Sequence, residues 1–385
     1  MRLNQLAATL AAAGLAVPGL AMATNGMLME GYGPVAAGMG GASMAYDNGT
    51  AALANNPATL GLMREGSRVD VMVGFVGPDV SVPGMMGTSE ADTFYMPAIG
   101  YVKKQGKFAY GAGIYGQGGM GTEYANGDMA QVGVGRVIFP LAYNVSERLN
   151  VGGSIDFVWA GMDLVADLNG DGIKDINFKD DSDFTGAAKG YSMAAKLGFT
   201  FRLSDAVTVG GVYQTAANLP ELEEGGYKVE GFDMPQTLAL GVAWQASERL
   251  MVAADVKDVM WGSSMNTVTI SNKGVLVAPF QQDWDDQIVL ALGLSYAFSD
   301  ALTGRIGYNH GDNPIPDRFV NFLWPAIVED HYTVGFGYAF SKQSTLNAAL
   351  SYVPEATVTG TGPMNGGMQI DHSQLNWQLM YSYTF

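Results

Sequence analysis

The sequence predicts an all-β chain: a transmembrane antiparallel β-barrel of about fourteen strands with a small N-terminal plug in the lumen. Three observations carry this. Apolar residues alternate with small or polar ones in run after run, with no long apolar stretch beyond the N-terminus. Short polar turns take turns with long Gly/Pro/Asp-rich loops. The last run ends on an aromatic residue, Phe385.

Composition narrows the class. A chain of 385 residues suggests two or three soluble domains, but that prior fails for barrels. Hydrophobic residues make up 48% and charged ones 15%, so the apolar groups are dispersed, as strands require. Cysteine is absent, which removes disulfides, thiolate metal sites and thiol nucleophiles together. A net charge of −17 without a basic patch argues against nucleic acid as a partner. Most of that acidity reads as solvated loop surface.

The elements follow in chain order. Residues 1–23 read as a signal peptide: Arg2 supplies the charge, Leu6 to Leu20 the apolar stretch, and Ala21-Met22-Ala23 the cleavage site. No Cys follows, so a lipoprotein is excluded. Residues 24–65 do not alternate. Small residues from Val35 to Ala45 permit close packing, and Asp47 or Asn56 suits the start of a short helix. A free tail has little use for the Met and Leu found here, so this segment is expected inside the lumen as the plug. Residues 66–385 then form the barrel.

Within it, Val137, Phe139, Leu141, Tyr143 and Val145 share one face, as do Ile288, Leu290, Leu292, Leu294, Tyr296 and Phe298. The opposite face is small, polar or charged: Asp156, Lys196, Arg202, Asp255 and Lys257. In a membrane barrel the large face meets lipid and the polar face lines the lumen. Six short turns, near 104–107, 146–148, 204–206, 247–249, 299–301 and 341–344, separate seven hairpins. Long loops are expected near 79–91, 117–128, 166–188, 216–233, 261–285, 310–329 and 354–372. A soluble sandwich has no reason to sort its loops by length. Leu375 to Phe385 alternates to the end, a terminal strand suited to the barrel-assembly machinery as a biogenesis partner. The expected location is the outer membrane of a Gram-negative cell, among its lipids.

The segment Gly38-Met39-Gly40-Gly41-Ala42, then Ala45-Tyr46-Asp47-Asn48, then Asn56-Pro57-Ala58, resembles the plug of the long-chain fatty acid transporter family, which includes toluene-uptake channels. Gly111 to Tyr115 and Gly119 to Tyr124 resemble that family's third strand and second outer loop. The resemblance implies passive uptake of hydrophobic compounds, fatty acids or hydrocarbons, bound in an apolar pocket and released sideways through a gap at a bent third strand. The matching gap positions are Gly116, Gly118, Gly119 and Gly121, since a Gly cluster admits a bulge. Met re-packs around varied shapes, so Met27, Leu28, Met29 and Tyr32 are the plug candidates for substrate contact.

One motif carries metal chemistry. Asp167, Asn169, Asp171 and Asp175 stand at calcium-loop spacing, with Gly172 for the sharp turn; Phe178 replaces the expected twelfth-position Glu. A structural calcium ion in this external loop is the one metal expectation; otherwise no cofactor is expected. The histidines, His310, His331 and His372, lack ligand spacing, and no nucleophile motif is present, which speaks against an enzyme. Two alternatives to transport stay open: a general porin, opposed by the plug, and a receptor or adhesin acting through the long loops.

Overall fold

The computed structural model describes residues 25–180 and 186–385; the expected signal peptide lies outside them. Among the described residues, fourteen strands form the wall. In chain order they are β1 (Gly66–Val82), β2 (Phe94–Gln105), β3 (Phe108–Glu123), β4 (Met129–Asn144), β5 (Leu149–Ala166), β6 (Ala188–Arg202) and β7 (Val207–Gln214). Then come β8 (Thr237–Gln245), β9 (Leu250–Val259), β10 (Gln287–Ala297), β11 (Leu302–Gly311), β12 (Asp330–Ala339), β13 (Ser344–Thr359) and β14 (Gln369–Thr384). Each pairs antiparallel with its chain neighbour, and β1 pairs with β14 from Arg68↔Thr384 to Ser81↔Asp371, which closes the ring and leaves no edge. No described helix is long and apolar enough to cross a membrane.

Alternation maps onto two faces. Leu197 is 69% exposed on the outside while Lys196, one residue before it, is 4% exposed in the lumen. Ile155 and Phe157 point out around the fully buried Asp156. Large apolar side chains exposed to solvent in this number are explained by lipid. Of the charged lumen-parity residues, Arg202 departs from expectation: it is exposed, beyond the last buried layer at the short-turn rim. The short turns fall where expected. Three loops are clearly shorter than expected, because β1 runs on to Val82, β3 to Glu123, and β13 and β14 cover 354–359 and 369–372. Other loops carry strands of their own: Leu222–Glu224 pairs with Tyr227–Glu230, which pairs with Thr267–Asn272. Trp261, Trp284, Trp324, Tyr124 and Phe232 are buried with them in an apolar cap at the long-loop end.

Residues 25–65 sit inside the ring. They form a short helix α1 (Pro34–Ala37) and two 3-10 turns, Gly49–Leu53 and Pro57–Leu62. Asn56 caps the second turn, its side-chain oxygen accepting from Ala58 N at 3.1 Å, while its amide donates to Met44 O and, across to the wall, to Phe199 O. Pro57 at the first position adds a preset φ. Asp47 accepts from Gly49 N at 2.9 Å rather than starting a full helix.

A plug this irregular exposes backbone groups, and the wall satisfies them. Asp255 accepts from Ser43 N and Met44 N at 2.6 and 3.1 Å, and Asp70 from Thr50 N at 2.9 Å. Asn309, Gln378 and Asn144 donate to Gly40 O, Gly31 O and Gly61 O, each at 2.9 Å, and Lys104 also donates to Gly61 O. Each such bond contributes about 1 kcal/mol net, more for the charged acceptors. Room for the plug comes from glycines on successive strands. A Cβ on Gly152, Gly198, Gly210, Gly293 or Gly307 would run into Ala58, Asn56, Met44, Met39 or Gly40 respectively. Gly40 and Gly41 themselves take positive φ of 67° and 85°, where a side chain would also strike Tyr308 O or Glu30 O.

Candidate functional site

Two cavities meet at one stretch of β3. The inner one lies between plug and wall. Leu28, Met29, Tyr32, Met44, Val212 and Val259 give it apolar surface, and Asn25, Asn55, Gln117, Gln214, Thr237 and Lys257 give it polar groups. Lys257 is turned away from ligand duty, donating to Glu30 O and Gly41 O at 3.0 and 3.2 Å. Such a mixture of greasy walls and a few amides suits a small apolar molecule.

The second cavity lies where the wall breaks. The β2–β3 ladder runs from Gln105↔Phe108 only to Ala98↔Tyr115. Beyond that, Phe94 to Met96 pair with β1 alone, while β3 continues against β4 with a register shift between Gly116 and Gly118. Gln117 is the extra residue, so the bulge bends β3 away from β2. Phe94 and Met96 fill the break from inside, packed with Met29 of the plug and Val76.

The N-terminal segment of the plug seals the break from within. Leu28 bridges Gly118, Met29 N approaches Gln117 O at 3.5 Å, and the Tyr32 hydroxyl donates to Gln117 O at 2.7 Å. Burial pushes the Tyr32 phenol well above its usual range, so it stays a donor. Burial likewise raises the Glu30 carboxyl to about 7, against its own backbone N–H, Ser351 and Lys257, which pull it down.

Of the four plug candidates, Leu28, Met29 and Tyr32 line the inner cavity, whereas Met27 is buried with the outer cap cluster. Asn56, Pro57 and Ala58 hold the plug's lower turn against Gly152 and Gly198. Gly116 and Gly118 flank the bulge, and Gly119 and Gly121 lie just above it, opposite Gly133 and Gln131. A Cβ on Gly118 would strike Met27 O, and one on Gly119 would strike Val132 O. Sequence reading missed Phe94, Met96, Gln117 and the polar wall of the inner cavity. Gln117 alone carried a signal, as the one large polar residue in a glycine run.

A buried charge cluster was also missed in part. Asp156 binds Lys196 Nζ at 2.5 Å and Arg136 Nη1 at 3.2 Å, with Ser154 on its other oxygen. Arg136 is fully buried, its Nε and Nη2 find no hydrogen-bond partner among the described residues, and it lies within electrostatic reach of Tyr32. In the 167–175 loop, the Asp167 carboxylate accepts from Gly170 N and Gly172 N, Asn169 from Asp171 N, Asp171 from Ile173 N, and Asp175 from Leu168 N. These bonds, that of Gly172 foremost, hold the Asp167 carboxyl below its ordinary value. Among the described residues, no three acidic, His or Cys side chains converge for a metal ion.

Comparison with known proteins agrees with this geometry. A family model described as outer membrane protein transport protein (OMPP1/FadL/TodX) matches residues 11–372. The toluene transporter TodX of P. putida superposes with a TM-score of 0.79 at 26% identity, covering 92% of this chain and 99% of that one. The toluene transporter TbuX of Ralstonia pickettii gives 0.76 at 26% identity, with 92% and 99% covered. A protein encoded in the 5′ region of the phosphoenolpyruvate carboxykinase gene of Chlorobium limicola is 44% identical over 80 residues; the match spans 39% of its length and 20% of this chain. The chain belongs to the outer membrane protein transport family of plugged β-barrels.

Proposed function

We propose that this barrel carries small apolar molecules passively across the outer membrane, taking them into the inner cavity and releasing them sideways through the break between β2 and β3. The observation that carries the reading is the pairing of a lumen sealed by its plug with a wall whose ladder stops at Ala98↔Tyr115. A sealed lumen suits neither a water-filled porin nor bulk diffusion. Burying apolar ligand surface contributes about 25 cal/mol per Å², enough to draw a toluene-sized molecule into the inner cavity without an energy source. The two toluene transporters at 26% identity support the substrate class. The unpartnered donors of Arg136 favour a second class, apolar chains ending in a carboxylate. On release the partners are outer-membrane lipids, and during biogenesis the assembly machinery, for which the outward-alternating C-terminal strand is suited. Calcium in the 167–175 loop belongs to the proposal on its spacing alone.

The test is uptake of radiolabelled toluene and of oleate by cells that express the chain, beside planar-bilayer conductance of the purified protein. The proposal expects saturable uptake and no steady ion current. A steady open-pore current without uptake contradicts it.

A further inference from the structure

Three side chains on the wall of the inner cavity carry a polar atom that nothing satisfies. Asn25 Oδ1, Gln117 Nε2 and Thr237 Oγ1 are buried and find no hydrogen-bond partner among the described residues. A buried polar group left unmet costs free energy, so a cluster of them around one cavity calls for a reason. Neighbouring polar groups on the same wall are engaged. Asn55 donates to Tyr32 O and accepts from Tyr32 N, and Lys257 donates to Glu30 O and Gly41 O. The unmet groups come from three separate elements. Asn25 is 3% exposed and is fixed by its paired backbone bonds with Leu28. Gln117, 1% exposed, is the extra residue of the β3 bulge, and a bulge re-aims a side chain. Thr237 opens β8, in register with Gln214 of β7 and Val259 of β9, which line the same cavity.

We propose that Asn25, Gln117 and Thr237 form a head-group site, and that the favoured cargo is an apolar molecule bearing one uncharged hydroxyl, such as a simple phenol. The proposal deepens the transport reading above and rests on it. Asn25 Oδ1 only accepts, Gln117 Nε2 only donates, and the Thr237 hydroxyl does either. A hydroxyl both donates and accepts, so one such group on the ligand answers both amides. A plain hydrocarbon answers neither. A carboxylate brings no proton to the Asn25 oxygen. Leu28, Met29, Met44 and Val212 supply the apolar surface for the rest of the molecule. A site that pairs its buried polar groups with a ligand hydroxyl disfavours the analogue that lacks it, because those groups are then left unpaired.

The test uses the full chain in lipid nanodiscs, with protein-free nanodiscs as the baseline. Equilibrium binding of radiolabelled p-cresol and toluene, which differ by the hydroxyl alone, is measured beside their uptake by cells that express the chain. The parent is expected to bind p-cresol about tenfold more tightly than toluene. Asn25→Leu and Thr237→Val keep the size of the side chain and remove the polar atom. Each is expected to weaken p-cresol binding about fivefold and to leave toluene binding unchanged. Equal affinity of the parent for both compounds overturns the head-group site. So do variants that weaken both compounds alike, which would make these groups structural, and variants that leave p-cresol unchanged. Tighter binding of p-toluate than of p-cresol overturns it too, by assigning the head to a carboxylate. Uptake separates this outcome from the reading beneath it. A parent chain that binds p-cresol selectively yet carries neither compound into cells overturns transport and leaves the site standing; one that carries both but binds them equally overturns the site alone.

Discussion

The plug meets the wall in two unlike ways. From Gly33 to Leu62 it is seated: glycines on successive strands make room for it, and Asp70, Asn144, Asp255 and Asn309 bond its backbone. From Asn25 to Tyr32 it is a finger laid across the bulge, held to β3 by the Leu28 bridge, one long N–H contact and the Tyr32 hydroxyl. Dislodging the seat means losing many buried bonds at once, each left unsatisfied at a cost of about 1–3 kcal/mol. Shifting the finger off β3 means losing two or three, while Lys257 and Gln378 still hold Glu30 O and Gly31 O at its base. The difference teaches where motion is affordable: the seat is a fixed stopper, and the path opens at the finger.

The comparison breaks first if the seat tolerates bulk. Gly210→Leu would drive a side chain into Met44 O, an overpacking cost of about 3 kcal/mol or more. Heat-modifiable gel mobility should show little folded barrel; a normal folded fraction would mean that the seat is loose.

Next comes the base of the finger, where Glu30 is 1% exposed. With its carboxyl raised from 4.5 to about 7, the folded state prefers it protonated. Its stabilisation is therefore full below pH 4.5 and fades as pH rises to 7, a loss of roughly 3 kcal/mol across the window. Thermal unfolding in detergent should fall over that range in the parent and stay flatter in Glu30→Gln. Equal slopes would show that Glu30 is not buried as described.

A smaller effect belongs to the finger alone. Tyr32→Phe removes the bond to Gln117 O, about 1 kcal/mol. That should raise the rate of toluene uptake about fivefold with the folded fraction unchanged. Slower uptake would mean that the hydroxyl holds the path open rather than shut.

The smallest lies outside both regions. Calcium at millimolar levels should release measurable heat with the parent and less with Asp167→Asn, without altering uptake. No calcium-dependent heat in the parent removes calcium from the account.

The ring of strands was readable because period-two alternation and sorted turns are local signals, and both faces came out as expected from Val137 to Val145 and from Ile288 to Phe298. The β3 side of the break was readable too, because a run of glycines stands out. Its other side was not. Phe94 and Met96 continue an ordinary alternation, and what singles them out is a missing partner on a strand more than about twenty residues on in sequence, a non-local fact. Met27 lies away from the inner cavity for a local reason: Asn25 and Leu28 exchange backbone hydrogen bonds around a tight turn, and Met27 within that turn is buried in the cap cluster. Arg202 shares the lumen parity of Lys196 but lies beyond the last buried layer, and alternation alone cannot tell depth.

The central claim is that molecules leave through the wall and not past the seat. Ideal Cβ geometry places Gly116 3.4 Å from the Met96 Cβ, near disulfide spacing. In this cysteine-free chain, Gly116→Cys combined with Met96→Cys should staple β2 to β3 on oxidation. The account predicts that oxidised cells lose toluene uptake at least tenfold and regain it with a reductant. Uptake that is unchanged when the staple is closed, as read by intact-protein mass, would contradict it.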